Sequence, residues 1–251
     1  MKYVNVENHG AVCHVILNRP ERLNAISGVL LDDLHEALRD AQSAADVKVI
    51  VFSGNGRAFC AGDDLKEFGD QTSSPASIVQ HIDRIQQVTR DLMFGSKPVV
   101  GAVHGFAVGG GFEWMLNCDL VVASDNLVAF FPEMDWGQFV TGGVTHILPQ
   151  SVGYQKAMEL WLLGERQSAA ELKALGLVNW VVSQDNVVAR ALEVAQVVAG
   201  KSVFSVGRLK RLLTTQINPQ LAASLELEKD AAVTSFALPD AAERVKKFGK
   251  S

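Results

Sequence analysis

The sequence predicts an α/β chain, a mixed core over residues 1–195 followed by a helical region over residues 196–251. Three observations carry this. Val47 to Phe52 and Pro98 to Val103 are short, nearly all-apolar runs rich in valine, the pattern of strands buried on both faces. Each run feeds a glycine-bearing turn and then an apparent helix start, so two strand–glycine–helix units are visible. Beyond Tyr154 the apolar residues fall mostly at helical spacing.

In order along the chain, residues 3–17 alternate in part around His9-Gly10 and read as a β-hairpin. Residues 18–24 (NRPERLN) are a loop. Ser27 is placed to cap a helix carrying Leu30, Leu31, Leu34 and Leu38 on one face. The strand from Val47 runs into SGNGRAFCAGDDLKEF, the first glycine turn. Residues 69–77 (GDQTSSPAS) are polar and read as a mobile loop. Ile78, Ile82, Ile85, Val88 and Leu92 then mark a helix. The strand from Pro98 ends in Gly109, Gly110 and Gly111, after which FEWMLN has helix-forming character. Leu120 to Ala123 and Leu127 to Phe131 are short strands, and residues 134–145 (MDWGQFVTGGVT) form a glycine-containing loop. Helices are expected over 154–163, 169–175, 187–198, 203–215, 221–236 and 240–248, with a last strand at 177–182.

Composition excludes several classes. The chain has 251 residues, 48% hydrophobic and 20% charged, as in globular proteins. A net charge of −5 argues against nucleic acid as the main ligand. The odd, scattered cysteines Cys13, Cys60 and Cys118 fit buried, reduced thiols. The N-terminus has no apolar signal core, the ending KKFGKS is not a peroxisomal signal, and the apolar tract at 98–112 is broken by His104 and glycines. Together these place the expected protein in the cytoplasm, off the membrane. GNGRAF fails the dinucleotide fingerprint because Phe59 stands where its third glycine belongs. No Walker motif, no Gly-x-Ser-x-Gly elbow and no His-x-x-x-His pair occurs, so no metal site is expected.

The chemistry is suggested by the second glycine turn. A strand feeding glycines feeding a helix leaves backbone N–H groups where developing negative charge is favoured. Glu113 lies two residues past the last glycine. A carboxylate beside such donors suits reactions of a carbonyl whose oxygen gains charge.

AFCAGDDLKEF (58–68) and VVGAVHGFAVGGGFEWMLNCDLVVAS (99–124), in this order and spacing, resemble the two signatures of the crotonase (enoyl-CoA hydratase/isomerase) superfamily. The resemblance continues through FFPEMDWGQFVTGG and GERQSAAELKALGLVNWVV and covers residues 10–185 well. It implies repeated ββα units in two roughly perpendicular sheets, with C-terminal helices that build trimers or hexamers. It implies an acyl-CoA thioester as partner, with coenzyme A entering as part of the substrate and no permanently bound cofactor. By motif matching, the N–H groups of Asp63 and Gly110 form the oxyanion hole. Glu113 and Glu133 match the two carboxylates with which family hydratases hold one water across the C2–C3 double bond, Glu133 serving C2 and Glu113 the water. Coenzyme A is placed along Ala61, Gly62, Asp64, Leu65 and Lys66, with Arg22 and Lys66 as phosphate partners.

The chain also departs from the family pattern. Asp63 replaces a small alanine, so its carboxylate must point away from the oxyanion. Phe112, Trp136 and Val140-Thr141, the last pair in place of a common Pro-Gly, are expected to reshape the acyl pocket. The resemblance favours hydration of a 2-enoyl-CoA. Its alternatives are double-bond isomerisation, hydration coupled to thioester hydrolysis, or a binding protein that keeps only the fold.

Overall fold

In the computed structural model the described residues are 1–216 and 218–248; residues 217 and 249–251, the end of the KKFGKS stretch among them, lie outside the described residues. The predicted hairpin forms as β1 (Val4–His9) and β2 (Val12–Leu17), turning at Gly10 with φ +66°. Ser27 Oγ accepts the Leu30 N–H at 3.2 Å and opens α1 (Gly28–Ser43). Both apolar runs are strands, β3 (Val49–Gly54) and β4 (Val99–Val103), and every residue of each is buried.

Residues 69–77 are ordered into helix ends. The one-turn α2 (Phe68–Gln71) precedes α3 (Pro75–Met93), which starts where Ser74 caps Ser77 N and Pro75 takes a position that needs no N–H. After β4 the chain does not pass straight into a helix. It makes β5 (Phe106–Val108) before α4 (Gly110–Leu116). Then come β6 (Leu120–Ser124), β7 (Val128–Phe130) and α5 (Val144–Val152). The expected loop therefore ends at Gly143, and the residues after it, most of which the sequence reading left unassigned, form a helix that contains Pro149. Glycine and proline masked it. A distant carboxylate holds its start: Glu228 accepts Gly143 N at 2.6 Å and Thr145 N at 2.8 Å. Next come α6 (Tyr154–Leu163), β8 (Gln167–Ser168), α7 (Ala169–Ala174), β9 (Trp180–Val182) and α8 (Val187–Ala199). The chain finishes with α9 (Val203–Arg211), α10 (Pro219–Ala237) and α11 (Pro239–Phe248). Past α9, residues 212–216 widen into a π turn.

Two sheets result. One is six-stranded in the order β1-β2-β3-β4-β6-β9, parallel except for the β1–β2 hairpin. The other is three-stranded in the order β5-β7-β8. The larger sheet is apolar on both faces because both are covered. Val12, Val49, Val51, Val100 and Val122 meet α8, while Val15, Leu17, Ile50 and Phe52 share a core with α1 and α3. The C-terminal helices return to the core, α10 packing along α3. Cys13 and Cys60 are buried, Cys118 is partly so, and all three are free.

Candidate active site

The two glycine turns are stitched together by backbone. Cys60 N donates to Phe106 O and Val108 N to Cys60 O, both at 3.0 Å, in a parallel bridge between Cys60 and Ala107. This bridge is why the first turn does not pass directly into a helix, as its glycines suggested: Cys60 and Asp63 are each held in a parallel bridge, with Gly62 turning the chain between them at φ +80°. Ile26 N donates to Gly62 O at 2.8 Å and Asp64 N to Ile26 O at 2.9 Å. In that parallel pattern Asp63 turns its own N–H away from Ile26. Among the described residues neither Asp63 N–H nor Gly110 N–H has a hydrogen-bond acceptor. The glycine run admits close neighbours. A Cβ on Gly111 would stand 2.4 Å from Cys60 O, and one on Gly109, whose φ is +51°, would stand 2.5 Å from Glu133 Oε1.

Glu133 therefore lies over the second turn. Glu113, in the first turn of α4, is 1% exposed, and Glu133 is 8% exposed. Thr141 holds Glu113 with two bonds of 3.0 Å, its N–H to Oε1 and its hydroxyl to Oε2. Glu133 Oε2 is enclosed and has no hydrogen-bond partner among the described residues. Burial pushes the Glu133 carboxyl up to about 8, with nearby Asp63 adding to the rise. Burial likewise pushes Glu113 well above the usual range, helped by the charges of Glu133 and Glu228 and opposed by the Thr141 bonds. Like charges at close quarters resist ionising together, so the two titrate as a pair.

Both carboxyls open on one cavity of about 750 Å³. Asp63, Gly110, Arg22, Ala61, Gly62, Asp64, Leu65, Lys66 and Trp136 all line it, so eleven of the twelve residues picked from sequence meet there when the two glutamates are counted. Asp63 directs its carboxylate to His81 Nε2, 3.2 Å away. Asp64 is 3% exposed and spends its carboxylate on the scaffold: Arg22 Nη2 at 2.6 Å, Arg19 Nη1 at 2.9 Å and Lys66 N at 3.1 Å. These bonds hold its carboxyl below the ordinary value against the opposing effect of burial.

Phe112 is the exception. It is fully buried and packs against Phe131 with ring centroids 4.5 Å apart, outside the cavity lining. The reason is helical phase. Gly110 and Glu113 are three residues apart and share a face, which leaves Phe112 on the core side of α4.

Among the cavity residues that the sequence reading did not assign to it are Gln138, Phe139, Arg166, Phe236 and Val245. The last two come from α10 and α11, so the helical region helps build the site. No sequence signal marks Thr141 as the partner of Glu113, 28 residues away. Arg166, its guanidinium 5.5 Å from the Phe130 ring centre, stands in the GERQS stretch, where the sequence analysis gave it no role. One group of metal-ligating composition, Glu7, His9 and His14, converges on the β1–β2 hairpin, away from this cavity.

Unengaged backbone donors beside paired carboxyls, in one cavity, define a site for polarising a carbonyl and moving protons next to it. Comparison with known proteins agrees. The chain belongs to the enoyl-CoA hydratase/isomerase family, the crotonase superfamily, whose model matches residues 7–249. It is 32% identical to a mitochondrial enoyl-CoA hydratase of Pongo abelii, over 98% of this chain and 85% of that one. It is 36% identical to a mevalonyl-coenzyme A hydratase of Aspergillus fumigatus, over 76% of this chain and 70% of that one. A crystal structure of an enoyl-CoA hydratase/isomerase from Mycobacterium paratuberculosis superimposes with a TM-score of 0.92 at 28% identity, covering 98% of both chains. Among the described residues no helix is long and apolar enough to cross a membrane.

Proposed function

We propose that this enzyme adds water across the 2,3 double bond of a 2-enoyl-CoA thioester to give a 3-hydroxyacyl-CoA. The observation that carries the reading is the pair of buried carboxyls, Glu113 and Glu133, on one cavity beside the N–H groups of Asp63 and Gly110. In this reading those two N–H groups hold the thioester oxygen as enolate charge develops; losing one such donor typically costs about 3–4 kcal/mol of barrier. Thr141 donates to Glu113, which favours charge there, and Glu133 has no donor on Oε2. Burial raises both carboxyls, so in this reading the pair carries one proton between them, and the Thr141 donors place the charge on Glu113 and the proton on Glu133. Glu113 then takes a proton from the water as its oxygen attacks C3, and Glu133 supplies a proton to C2. Coenzyme A lies along residues 61–66, its phosphates toward Arg22 and Lys66, and no resident cofactor is needed.

We also infer an oligomer of the trimer or hexamer kind. Phe204, Leu209, Leu213 and Leu227 are 80%, 59%, 56% and 71% exposed on the C-terminal helical region, more apolar surface than a solvated appendage needs.

The test is loss of conjugated-thioester absorbance with crotonyl-CoA and a panel of longer, branched and aromatic enoyl-CoAs, with free thiol followed in parallel. Absorbance loss without thiol release is expected. Glu113→Gln and Glu133→Gln are each expected to cut turnover by orders of magnitude while coenzyme A binding persists. Full activity in both variants would refute the two-carboxylate mechanism.

A further inference from the structure

The loop from Glu133 to Thr141 joins the two carboxyls, one at its start and the clamp on the other at its end. Between them Trp136, Gln138 and Phe139 face the cavity. The loop backbone is fixed: Gln138 N donates to Glu133 O at 2.8 Å, and Gly137 turns the chain at φ +64°. Gln138 is 9% exposed, and its side-chain Nε2 is enclosed with no hydrogen-bond partner among the described residues. A buried amide without a partner is costly. Oε1 also makes no hydrogen bond among the described residues, and since it is not enclosed it is the end of the amide that can meet a ligand in the cavity.

Resting on the hydratase reading, we infer that the acyl group of the substrate carries a hydroxyl on the carbons beyond the double bond, and that the Gln138 amide oxygen accepts its hydrogen bond. Gln138 stands on the carboxyl-bearing loop and not on the 61–66 strip given to coenzyme A, so the group it meets belongs to the acyl end. That group is neutral. Glu113, ionised in this reading, and Asp135 line the same cavity and oppose an acyl carboxylate, and Arg166, which also lines it, is the group that a carboxylate would take in place of the amide. A purely alkyl chain would leave the amide buried and unpaired, the situation in which sites built around a hydrogen bond discriminate most strongly.

The experiment compares two substrates of equal size, 2-hexenoyl-CoA and 5-hydroxy-2-pentenoyl-CoA, in which a hydroxyl replaces the terminal methyl. The expected result is a kcat/KM about 10- to 100-fold higher for the hydroxylated substrate. Gln138→Leu is expected to abolish or invert that ratio, and Gln138→Asn to lower it by shortening the reach. No preference in the unmodified enzyme, or a preference that survives Gln138→Leu, overturns the inference. Should neither substrate nor crotonyl-CoA be hydrated, the hydration reading fails. The ratio of calorimetric dissociation constants for the same two thioesters then tests the Gln138 contact by the same criteria.

Discussion

Thr141→Val isolates a single atom of the proposed machinery. Valine keeps the volume and the backbone N–H on Glu113 Oε1 but removes the hydroxyl 3.0 Å from Oε2. A hydrogen bond to a charged buried group contributes about 1.5–3 kcal/mol. Since one pKa unit corresponds to about 1.4 kcal/mol, the bond is worth roughly 1–2 units to Glu113. The hydroxyl donates to the ionised form, so its loss raises the pKa of that carboxyl. Glu113 is proposed to act ionised, so the acid limb of the kcat/KM profile moves up by about 1–2 pH units in the variant. Activity well above the limb recovers toward that of the unmodified enzyme. The assay is initial-rate loss of conjugated-thioester absorbance across pH, and the limb reports the apparent value of the carboxyl pair. Thr141→Ser restores the hydroxyl and is expected to restore the limb. An unmoved limb, or a loss uniform across pH, would refute the reasoning.

Other perturbations follow from the same contacts. Glu133 is raised from its ordinary 4.5 to about 8, so it is protonated when folded over a range in which the unfolded chain has lost the proton. Its contribution is fully present below pH 4.5 and lost as pH rises through about 8, a loss of at most about 5 kcal/mol. The melting temperature of Glu133→Gln should therefore gain on the unmodified protein between pH 5 and pH 8.5; a pH-independent difference would contradict this. Gly111→Ala places a Cβ 2.4 Å from Cys60 O, whereas Gly110→Ala meets only the tip of Ile26 at 2.8 Å. Denaturant unfolding should show a loss above about 3 kcal/mol for the first and below about 1 for the second. Arg22→Ala removes one of two arginines from Asp64, leaving Arg19. It is expected to raise KM for a CoA thioester roughly tenfold with kcat retained, and a fall in kcat alone would count against a phosphate contact.

Much of the fold and site was legible in the chain because its causes are local or are spelled by motif. Valine runs announce doubly covered strands, Ser27 and Ser74 sit where their caps form, and β4 with its glycines brings Glu113 to the edge of an unengaged backbone turn. Where reading failed, partners far apart in sequence had won. Cys60 and Asp63 sit in bridges because Phe106, Val108 and Ile26 bond to the backbone of residues 60, 62 and 64. The helix at 144–152 exists despite Gly143 and Pro149 because Glu228 satisfies its first N–H groups. Phe112 was placed by adjacency to Glu113, but the turn of α4 sends it to the core.

The sequence by itself determined the α/β core, the helical end and the identity of the paired glutamates. Only tertiary structure decided how those glutamates are held, Glu113 clamped by Thr141 and Glu133 left without a donor on Oε2. It also decided what shares their cavity: an unpaired Gln138 amide, and Phe236 and Val245 folded back from the C-terminal helices. The physical reason is that residue type fixes what a side chain can do. Burial, proton affinity and hydrogen-bond partnership depend on neighbours brought in by packing, and no local pattern encodes them.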